Sequence, residues 1–247
     1  MDLGLKGRTA LVTGASSGLG LASAEALARE GANVAMFARR RDLLEREADR
    51  IGALAVRGDV TIPKDLERAV ETTVNAFGGI DVLVWNSGGP RPGTAVDVTP
   101  ESLEEALELL FLPAVRLVGL CLPFLEQSAG GRIVALTSLA AKEPTAHLAL
   151  SNALRPGLTG WLKTLARELG PKGITVNTVA PGRIATARLD ELYPAGPTEA
   201  DLAEIPLRRW GDPSEFGDVV CFLASERARY VTGQTVVVDG GLQRFLF

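Results

Sequence analysis

The sequence contains few of the side chains that cross-link chains, bind metals or attract nucleic acids. Its two cysteines, Cys121 and Cys221, are too few and too far apart for a disulfide framework, so we expect a reducing, cytoplasmic location. One histidine occurs in 247 residues, and no metal-binding motif is predicted. The formal net charge of −4 provides no basic surface for nucleic acid. We expect a small-molecule substrate, whose identity the sequence does not indicate.

The sequence also lacks long, unbroken apolar runs. No stretch approaches the roughly eighteen apolar residues that cross a membrane. The first residues, MDLGLKGRTALVTG, lack the apolar core and cleavage site of a signal peptide. Because no linker or tandem repeat divides the chain, we expect a soluble protein with one domain spanning residues 1–247.

Short apolar segments are abundant, and longer amphipathic segments separate them. Apolar strands joined by helices long enough for right-handed crossovers predict a parallel sheet with helices on both faces. We predict an α/β, single-domain Rossmann fold with a doubly wound sheet of seven parallel strands. The predicted strands are TALVTG, NVAMFAR, LAVRGDV, DVLVWN, RIVALTS, ITVNTVAPG and QTVVVDGG. Two loop-like segments, residues 88–100 and 186–213, follow strand ends, where such sheets bind ligands.

A glycine-rich turn, TGASSGLG at residues 13–20, joins the first predicted strand to the first predicted helix. Glycines let the backbone approach a pyrophosphate closely, and the helix N-terminus supplies N–H donors and the positive end of a dipole. Because a strand and a helix flank the motif, we predict a dinucleotide site; the alternative is a tight turn without a ligand. The predicted contacts are Gly14, Ser16, Ser17, Gly18, Leu19 and Gly20.

Further motifs extend this pattern over nearly the whole chain. They are GDV at 58–60, WNSGG at 85–89, the serine that ends RIVALTS, VNTVAPGRIAT at 176–186 and the tail YVTGQTVVVDGG. Together with TGASSGLG they resemble the short-chain dehydrogenase/reductase family. The segment PLRRWGDPSEFGDVVCFLASERARYVTGQ is most similar to the 3-oxoacyl-acyl-carrier-protein reductase branch of that family.

The resemblance implies a cofactor site built from residues at the strand ends. Their roles along the cofactor would be Asp59 and Val60 at the adenine, Asn86 and Gly88 beside the middle, and Pro181, Gly182, Ile184 and Thr186 around the nicotinamide. The alternatives without a cofactor are that Asp59 caps a helix and that Pro181-Gly182 forms an ordinary turn.

The choice between NAD and NADP depends on the residues after the second strand, which read Phe37-Ala38-Arg39-Arg40-Arg41. An NAD site places a carboxylate there for the ribose hydroxyls, whereas a guanidinium can hold a 2′-phosphate with two hydrogen bonds. The nearest carboxylate, Asp42, follows the arginines. We therefore predict NADP in preference to NAD, with Arg39 or Arg40 on the phosphate; the alternative is a solvated basic helix start.

The resemblance also implies a catalytic set of serine, tyrosine, lysine and asparagine. Counting from Ser138 puts Ser151 at the tyrosine position and Arg155 at the lysine position. The Leu122-Pro123 pair puts Leu110 at the asparagine position. Because an aliphatic hydroxyl is a far weaker acid than a phenol, and arginine stays protonated, the usual proton transfer is lost. Ser138 is left as a weak catalytic candidate, and Arg155 as a contact of the nicotinamide ribose.

Substitutes for the missing proton donor can be sought nearby. His147 would lie one helical turn before Ser151 if residues 147–151 were helical, although a lone histidine is more often an ordinary surface residue. Lys142 and Glu143 would form an active pair or, as we favour, a solvated turn. A third candidate, Tyr193, would close over the substrate or simply pack.

Two functions stay open at this point. One is an NADP-dependent oxidoreductase with nonstandard or weak activity; the other is a noncatalytic cofactor-binding pseudoenzyme with a sensing or subunit role. The family resemblance implies a homotetramer in which the helices after strands four and five and the tail VVVDGGLQRFLF pack between subunits. The apolar end, Phe245-Leu246-Phe247, agrees, because such side chains are better buried against a partner.

Overall fold

Seven parallel strands form one sheet in a computed structural model, which describes residues 2–246 and, of Leu192, the backbone alone. The strands are β1 (Thr9–Thr13), β2 (Asn33–Ala38), β3 (Leu54–Arg57), β4 (Val82–Trp85), β5 (Arg132–Leu136), β6 (Thr175–Pro181) and β7 (Thr235–Val238). Their spatial order is β3-β2-β1-β4-β5-β6-β7, so the direction of winding reverses between β1 and β4. The prediction of a doubly wound Rossmann sheet is confirmed.

Helices cover both faces of the sheet. They are α1 (Gly18–Arg29), α2 (Arg41–Ile51), α3 (Pro63–Phe77), α4 (Pro100–Leu110), α5 (Leu112–Gln127), α6 (Ala149–Leu169), α7 (Ala187–Leu192), α8 (Glu199–Ala203) and α9 (Pro213–Ala224). On one face, Leu27 of α1 and Phe216 of α9 belong to a single buried cluster. On the other, Leu66 of α3, Leu117 of α5 and Leu162 of α6 belong to a second cluster.

The two clusters follow from the alternation of side chains along each strand. In β1, Val12 packs into the first cluster and its neighbour Leu11 into the second. Met36 and Phe37 divide in the same way in β2. Because both faces of the central strands are buried, these strands are apolar at every position, which is why the sequence pattern identified them.

Two short helices correct the prediction that residues 186–213 are loop-like. Helix α7 begins after Thr186, and α8 begins after Thr198, which forms a reciprocal capping box with Asp201. These helices have only six and five residues, too few for an amphipathic repeat to be recognised in the sequence.

One apolar stretch corrects the prediction that no segment has the length and composition of a membrane span. Pro100–Gln127, which covers α4 and α5, has 28 residues and a window with mean hydropathy of 1.8. Six charged residues lie within these 28, so the segment contains no unbroken apolar run of that length. Length and composition are the only grounds for considering a span, and α5 packs against α3 and β4 on one face of the sheet.

Candidate functional site

A cavity of about 480 Å³ lies at the carboxyl ends of the strands. All but one of the residues predicted to contact a cofactor line it, and so does the predicted catalytic serine. The members of this set are Gly14, Ser16, Ser17, Gly18, Leu19, Arg39, Arg40, Asp59, Val60, Asn86, Gly88, Ser138, Arg155, Pro181, Gly182, Ile184 and Thr186. The exception is Gly20, which is buried beneath the glycine-rich turn. The structure thus brings together residues that span most of the sequence.

The glycine-rich turn has the geometry that close approach of a phosphate requires. Gly14 and Gly18 have φ values of +60° and +56°, which L side chains rarely adopt. A Cβ at Gly20 would lie 2.3 Å from the carbonyl oxygen of Gly14, so only glycine fits beneath the turn. Ser17 caps α1 without a side-chain hydrogen bond to it, which leaves the first-turn N–H groups available to an anion. These features fit a dinucleotide pyrophosphate.

Asn86 connects the glycine-rich turn to β4. Its backbone N–H donates to Thr13 Oγ1 at 2.8 Å, and the Thr13 hydroxyl donates back to its carbonyl oxygen at 2.7 Å. The Asn86 side-chain amide also donates to the Gly14 carbonyl at 3.4 Å. Asn86 therefore holds the crevice between β1 and β4 in one shape, at the point where doubly wound sheets bind ligands.

Two arginines after β2 face the turn differently. Arg40 donates from Nη2 to Ser17 Oγ at 2.5 Å and to Ser16 Oγ at 3.2 Å. Arg39 Nη1 lies 3.7 Å from Asp59 Oδ2, and the Arg39 side chain is 70% exposed. Arg40 thus gathers one guanidinium and two hydroxyls at the end of the cavity, whereas Arg39 is mostly in solvent.

The structure excludes a helix-capping role for Asp59 and places Asp42 inside the helix after the arginines. Asp59 does not cap α3, whose N-cap residue is Ile62; instead its Oδ1 accepts from the Thr61 N–H at 3.0 Å in the turn before that helix. Asp42 lies within α2 and does not line the cavity. The end of β2 therefore presents arginine, and no carboxylate from its own strand, to the cavity.

Three of the four positions equivalent to the family's catalytic set line the cavity. Ser138 follows β5, and its Oγ accepts from the Ala140 N–H at 3.2 Å. Ser151 and Arg155, both about 6% exposed, line the same cavity from α6. Leu110 is completely buried at the end of α4 and does not reach the cavity. Hydroxyls and a guanidinium therefore face a ligand, and the fourth position is part of the packed interior.

The guanidinium of Arg155 is enclosed by protein. Its Nη1 donates to the carbonyl oxygen of Leu136 at 2.9 Å, and its Nε is buried without a partner among the described residues. Burial lowers the pKa of Arg155 from its ordinary value to about 10, and no carboxylate among the described residues opposes this effect. Because this pKa is still well above neutral, Arg155 carries a positive charge at pH 7.

The proposed substitutes for tyrosine lie outside the cavity lining. The idea that His147 precedes Ser151 on a helix is wrong, because α6 begins at Ala149 and His147 has φ of +59°. Its side chain is exposed, as is that of Lys142, whose Nζ lies 4.6 Å from the ring centroid of Phe245. The ring of Tyr193 packs edge-on against a neighbouring tryptophan at 5.7 Å. The positions of these residues therefore agree with ordinary roles on the surface or in packing.

Sequence reasoning missed three residues that line the cavity: Arg188, Leu109 and Leu148. Arg188, in α7, lines the cavity and donates from Nη2 to the carbonyl oxygen of Pro90 at 3.2 Å. This contact joins the segment after β4 to the segment after β6. No sequence signal identified Arg188, because Arg183 follows Pro181-Gly182 more closely and does not line the cavity. Leu109 and Leu148 add apolar surface that had no recognisable motif.

Comparison with known proteins agrees with this geometry. Residues 14–243 match the model of a family described as Enoyl-(Acyl carrier protein) reductase. The chain is 36% identical over 242 residues to 3-oxoacyl-acyl-carrier-protein reductase FabG of Vibrio cholerae, covering 97% of this chain and 99% of that one. The chain belongs to the short-chain dehydrogenase/reductase family. Human dehydrogenase/reductase SDR family member 4 is also 36% identical, over 96% of this chain and 88% of its own length.

Two solved structures of related proteins have the same fold as this chain. L-sorbose reductase of Gluconobacter frateurii, complexed with NADPH and L-sorbose, superposes with a TM-score of 0.92 at 34% identity, covering 99% of this chain and 100% of that one. An NADPH-bound short chain oxidoreductase of Pseudomonas aeruginosa, described as containing an atypical catalytic center, gives 0.91 at 34% identity over 96% and 97% of the two chains. The prediction that the chain belongs to the short-chain dehydrogenase/reductase family is confirmed.

Proposed function

We propose that this short-chain dehydrogenase/reductase binds NADP(H) and is an oxidoreductase with weak proton transfer. The cluster of Arg40 with Ser16 and Ser17 carries the proposal. One guanidinium and two hydroxyls are suitable donors for a 2′-phosphate, and they stand beside the turn that would hold the pyrophosphate. Two related structures at 34% identity contain NADPH, which supports the same cofactor here.

The residues present fit the rest of that cofactor. The glycine-rich turn and the free first-turn N–H groups of α1 would hold the pyrophosphate. Asp59 and Val60 would lie at the adenine, and Pro181 and Ile184 at the nicotinamide. When bound, NADP(H) supplies or accepts a hydride, so the chain must provide orientation and the accompanying proton.

The proton is the weak part of this site. Ser138 has a hydroxyl that can donate to a carbonyl oxygen and polarise it, while its Oγ accepts from Ala140. Ser151 has no acidity at neutral pH, and Arg155 stays charged because its pKa is about 10. A positioned general acid contributes about 10²–10⁴-fold in rate, so reduction of ordinary ketones by this chain should be slow by roughly that factor.

The second candidate function is a noncatalytic cofactor-binding pseudoenzyme with a sensing or subunit role. Leucine, serine and arginine at positions 110, 151 and 155 favour it, since cofactor binding needs none of the groups they replace. Titration with NADPH and NADH, followed by hydride-transfer assays on ketones, acyl thioesters and alcohols, separates the two. Binding with no turnover supports the pseudoenzyme, and the absence of NADPH binding refutes both.

Restoring the family's groups tests the catalytic interpretation directly. Ser151→Tyr with Arg155→Lys, with and without Leu110→Asn, should raise NADPH-dependent reduction of an acetoacetyl thioester by about 10²–10⁴-fold. These groups act as a unit, so single substitutions should achieve little. Our reasoning fails if the unmodified protein already reduces this substrate at rates ordinary for a dehydrogenase and Ser138→Ala or His147→Ala abolishes them.

Assembly as a homotetramer is part of the proposal. Leu103 of α4 and Val115 of α5 are exposed apolar side chains on one helical layer, and Leu246 in the tail is 88% exposed. Burial of such side chains between subunits would remove them from water. Phe247 lies outside the described residues. Sedimentation as a monomer at all concentrations would refute this assembly, and the cytoplasmic location stays a prediction.

A further inference from the structure

The cavity is positively charged in a protein whose formal net charge is −4. Four arginines line it, and among the described residues Asp59 is the one carboxylate that does so. Asp59 already lies 3.7 Å from Arg39, and Arg40 is placed for the proposed 2′-phosphate. Arg188 forms an ion pair with Glu191, with 2.8 Å between Nη1 and Oε2. Arg155 also has no carboxylate partner among the described residues, and its one hydrogen bond is to a neutral carbonyl oxygen.

The phosphate-binding features lie too far away to neutralise Arg155. Its guanidinium is bonded to Leu136 at the end of β5, whereas Arg40 follows β2 and the glycine-rich turn follows β1. In the sheet order β2-β1-β4-β5, neighbouring strands are about 4.8 Å apart. Arg155 is therefore about 14 Å across the sheet from the first and about 10 Å from the second. Another anion must supply its partner.

The burial of Arg155 makes that requirement strong. Arg155 is only 6% exposed and makes one hydrogen bond, to a neutral carbonyl. Its Nε has no partner in the part of the chain that the structure describes. A buried charge without an opposite charge is unfavourable, and a bound anion removes the penalty. The Arg155 guanidinium lines the cavity and uses one nitrogen for its bond to Leu136. A guanidinium with further N–H groups available can bind a carboxylate.

Space for such a group exists beside it. Ser151 lies four residues before Arg155 in α6, so the two side chains are neighbours on one face of the helix. Both line the cavity, as does the Ser138 hydroxyl. A serine at position 151 is smaller than the tyrosine of the family pattern, so it leaves room at this point and adds a hydrogen-bond donor.

We propose that the substrate carries a carboxylate and that Arg155, assisted by Ser151, binds it next to the position of hydride transfer. This inference rests on the proposed function for its chemistry, and it names the substrate class as small oxo acids or their hydroxy acids. Arg155 is then a binding and specificity residue, in place of the lysine that would serve the usual proton transfer.

A pair of unreactive probes tests the site. Oxamate and oxamide have nearly the same size and differ in one charged group. Calorimetric titration of each into the protein, with saturating NADP⁺ and without it, gives both dissociation constants. Oxamate should bind at least about tenfold more tightly than oxamide at neutral pH, the preference typical of one charge-assisted hydrogen-bonded pair. Equal binding of the two probes, or binding of neither, overturns the proposal.

Variants connect the preference to Arg155. Arg155→Met should remove the preference for oxamate over oxamide, and Arg155→Lys should keep part of it. Arg91→Gln is the matched control, since Arg91 is exposed in the segment after β4 and does not line the cavity. Retention of the preference in Arg155→Met overturns the proposal. If that variant does not fold, the probe comparison in the unmodified protein still decides.

The two proposals fail separately. NADP⁺ is titrated alone in the same experiment. Binding of NADP⁺ without a preference for oxamate refutes the carboxylate site and leaves the proposed function standing. Preference for oxamate without NADP⁺ binding refutes the proposed function, and the anion site on Arg155 stands.

Discussion

Replacement of Arg155 by methionine should stabilise the ligand-free protein. Methionine has a similar length, is unbranched and carries no charge, so it can occupy the same space in α6. Arginine at this position is buried, with one hydrogen bond to the Leu136 carbonyl and no carboxylate partner. The substitution therefore removes a buried, uncompensated charge.

The size of the effect follows from the structure. Burial lowers the pKa of Arg155 from its ordinary value to about 10, which corresponds to about 3 kcal/mol of unfavourable free energy for the charged form. Loss of the hydrogen bond to Leu136 costs about 1–2 kcal/mol, because its carbonyl oxygen loses a charged donor. The free energy of unfolding of Arg155→Met should thus exceed that of the unmodified protein by roughly 1–2 kcal/mol.

Urea unfolding at pH 7, followed by circular dichroism at one fixed protein concentration, measures this difference. Arg91→Met is the control, and its unfolding free energy should change by less than about 0.5 kcal/mol because Arg91 is exposed. A loss of more than about 1 kcal/mol in Arg155→Met would refute the reasoning, since the guanidinium would then be a stabilising part of the fold.

The pH dependence provides an independent check. The pKa of Arg155 is lower in the folded state than in the unfolded state, so the unfolded chain binds more protons once the pH rises above about 10. Its destabilising effect is therefore complete below pH about 10 and is relieved as the pH rises above that value. The stability difference between the two proteins should stay constant near neutral pH and shrink in alkali.

Further predictions concern the cofactor end of the cavity. Arg40→Ala should weaken NADPH binding about 10-fold or more relative to NADH, since it removes a charged donor beside Ser16 and Ser17. Arg39→Ala should also be selective for NADPH but smaller in effect, because Arg39 is 70% exposed; equal losses for both cofactors would contradict either role. Gly20→Ala should abolish measurable binding of both cofactors in a fluorescence titration, because its Cβ would lie 2.3 Å from a carbonyl oxygen.

The strands and the glycine-rich turn were predictable because local sequence determines them. β1 and its neighbours are buried on both faces, so they are apolar at every position, and Gly14 and Gly18 occupy backbone conformations that favour glycine. The same reasoning failed for Pro100–Gln127, where scattered charged residues concealed a window of high mean hydropathy.

The state of Arg155 was not predictable, because it depends on a contact between elements far apart in sequence. Its bond to Leu136 joins α6 to β5, and the bond from Arg188 to Pro90 joins two segments 98 residues apart. No spacing rule specifies either one. His147 shows the same limit at shorter range, because whether it is helical depended on where α6 begins.

The burial of Leu110 has a consequence for how this site can change over evolutionary time. Ser151 and Arg155 are buried but line the cavity, so a change of side chain at either position alters the surface that a ligand meets. Leu110 is completely enclosed, and asparagine there would bury an amide whose hydrogen-bonding groups need new partners. Substitution can therefore vary the chemistry of the cavity wall at positions 151 and 155, whereas a polar side chain at position 110 requires the interior to repack.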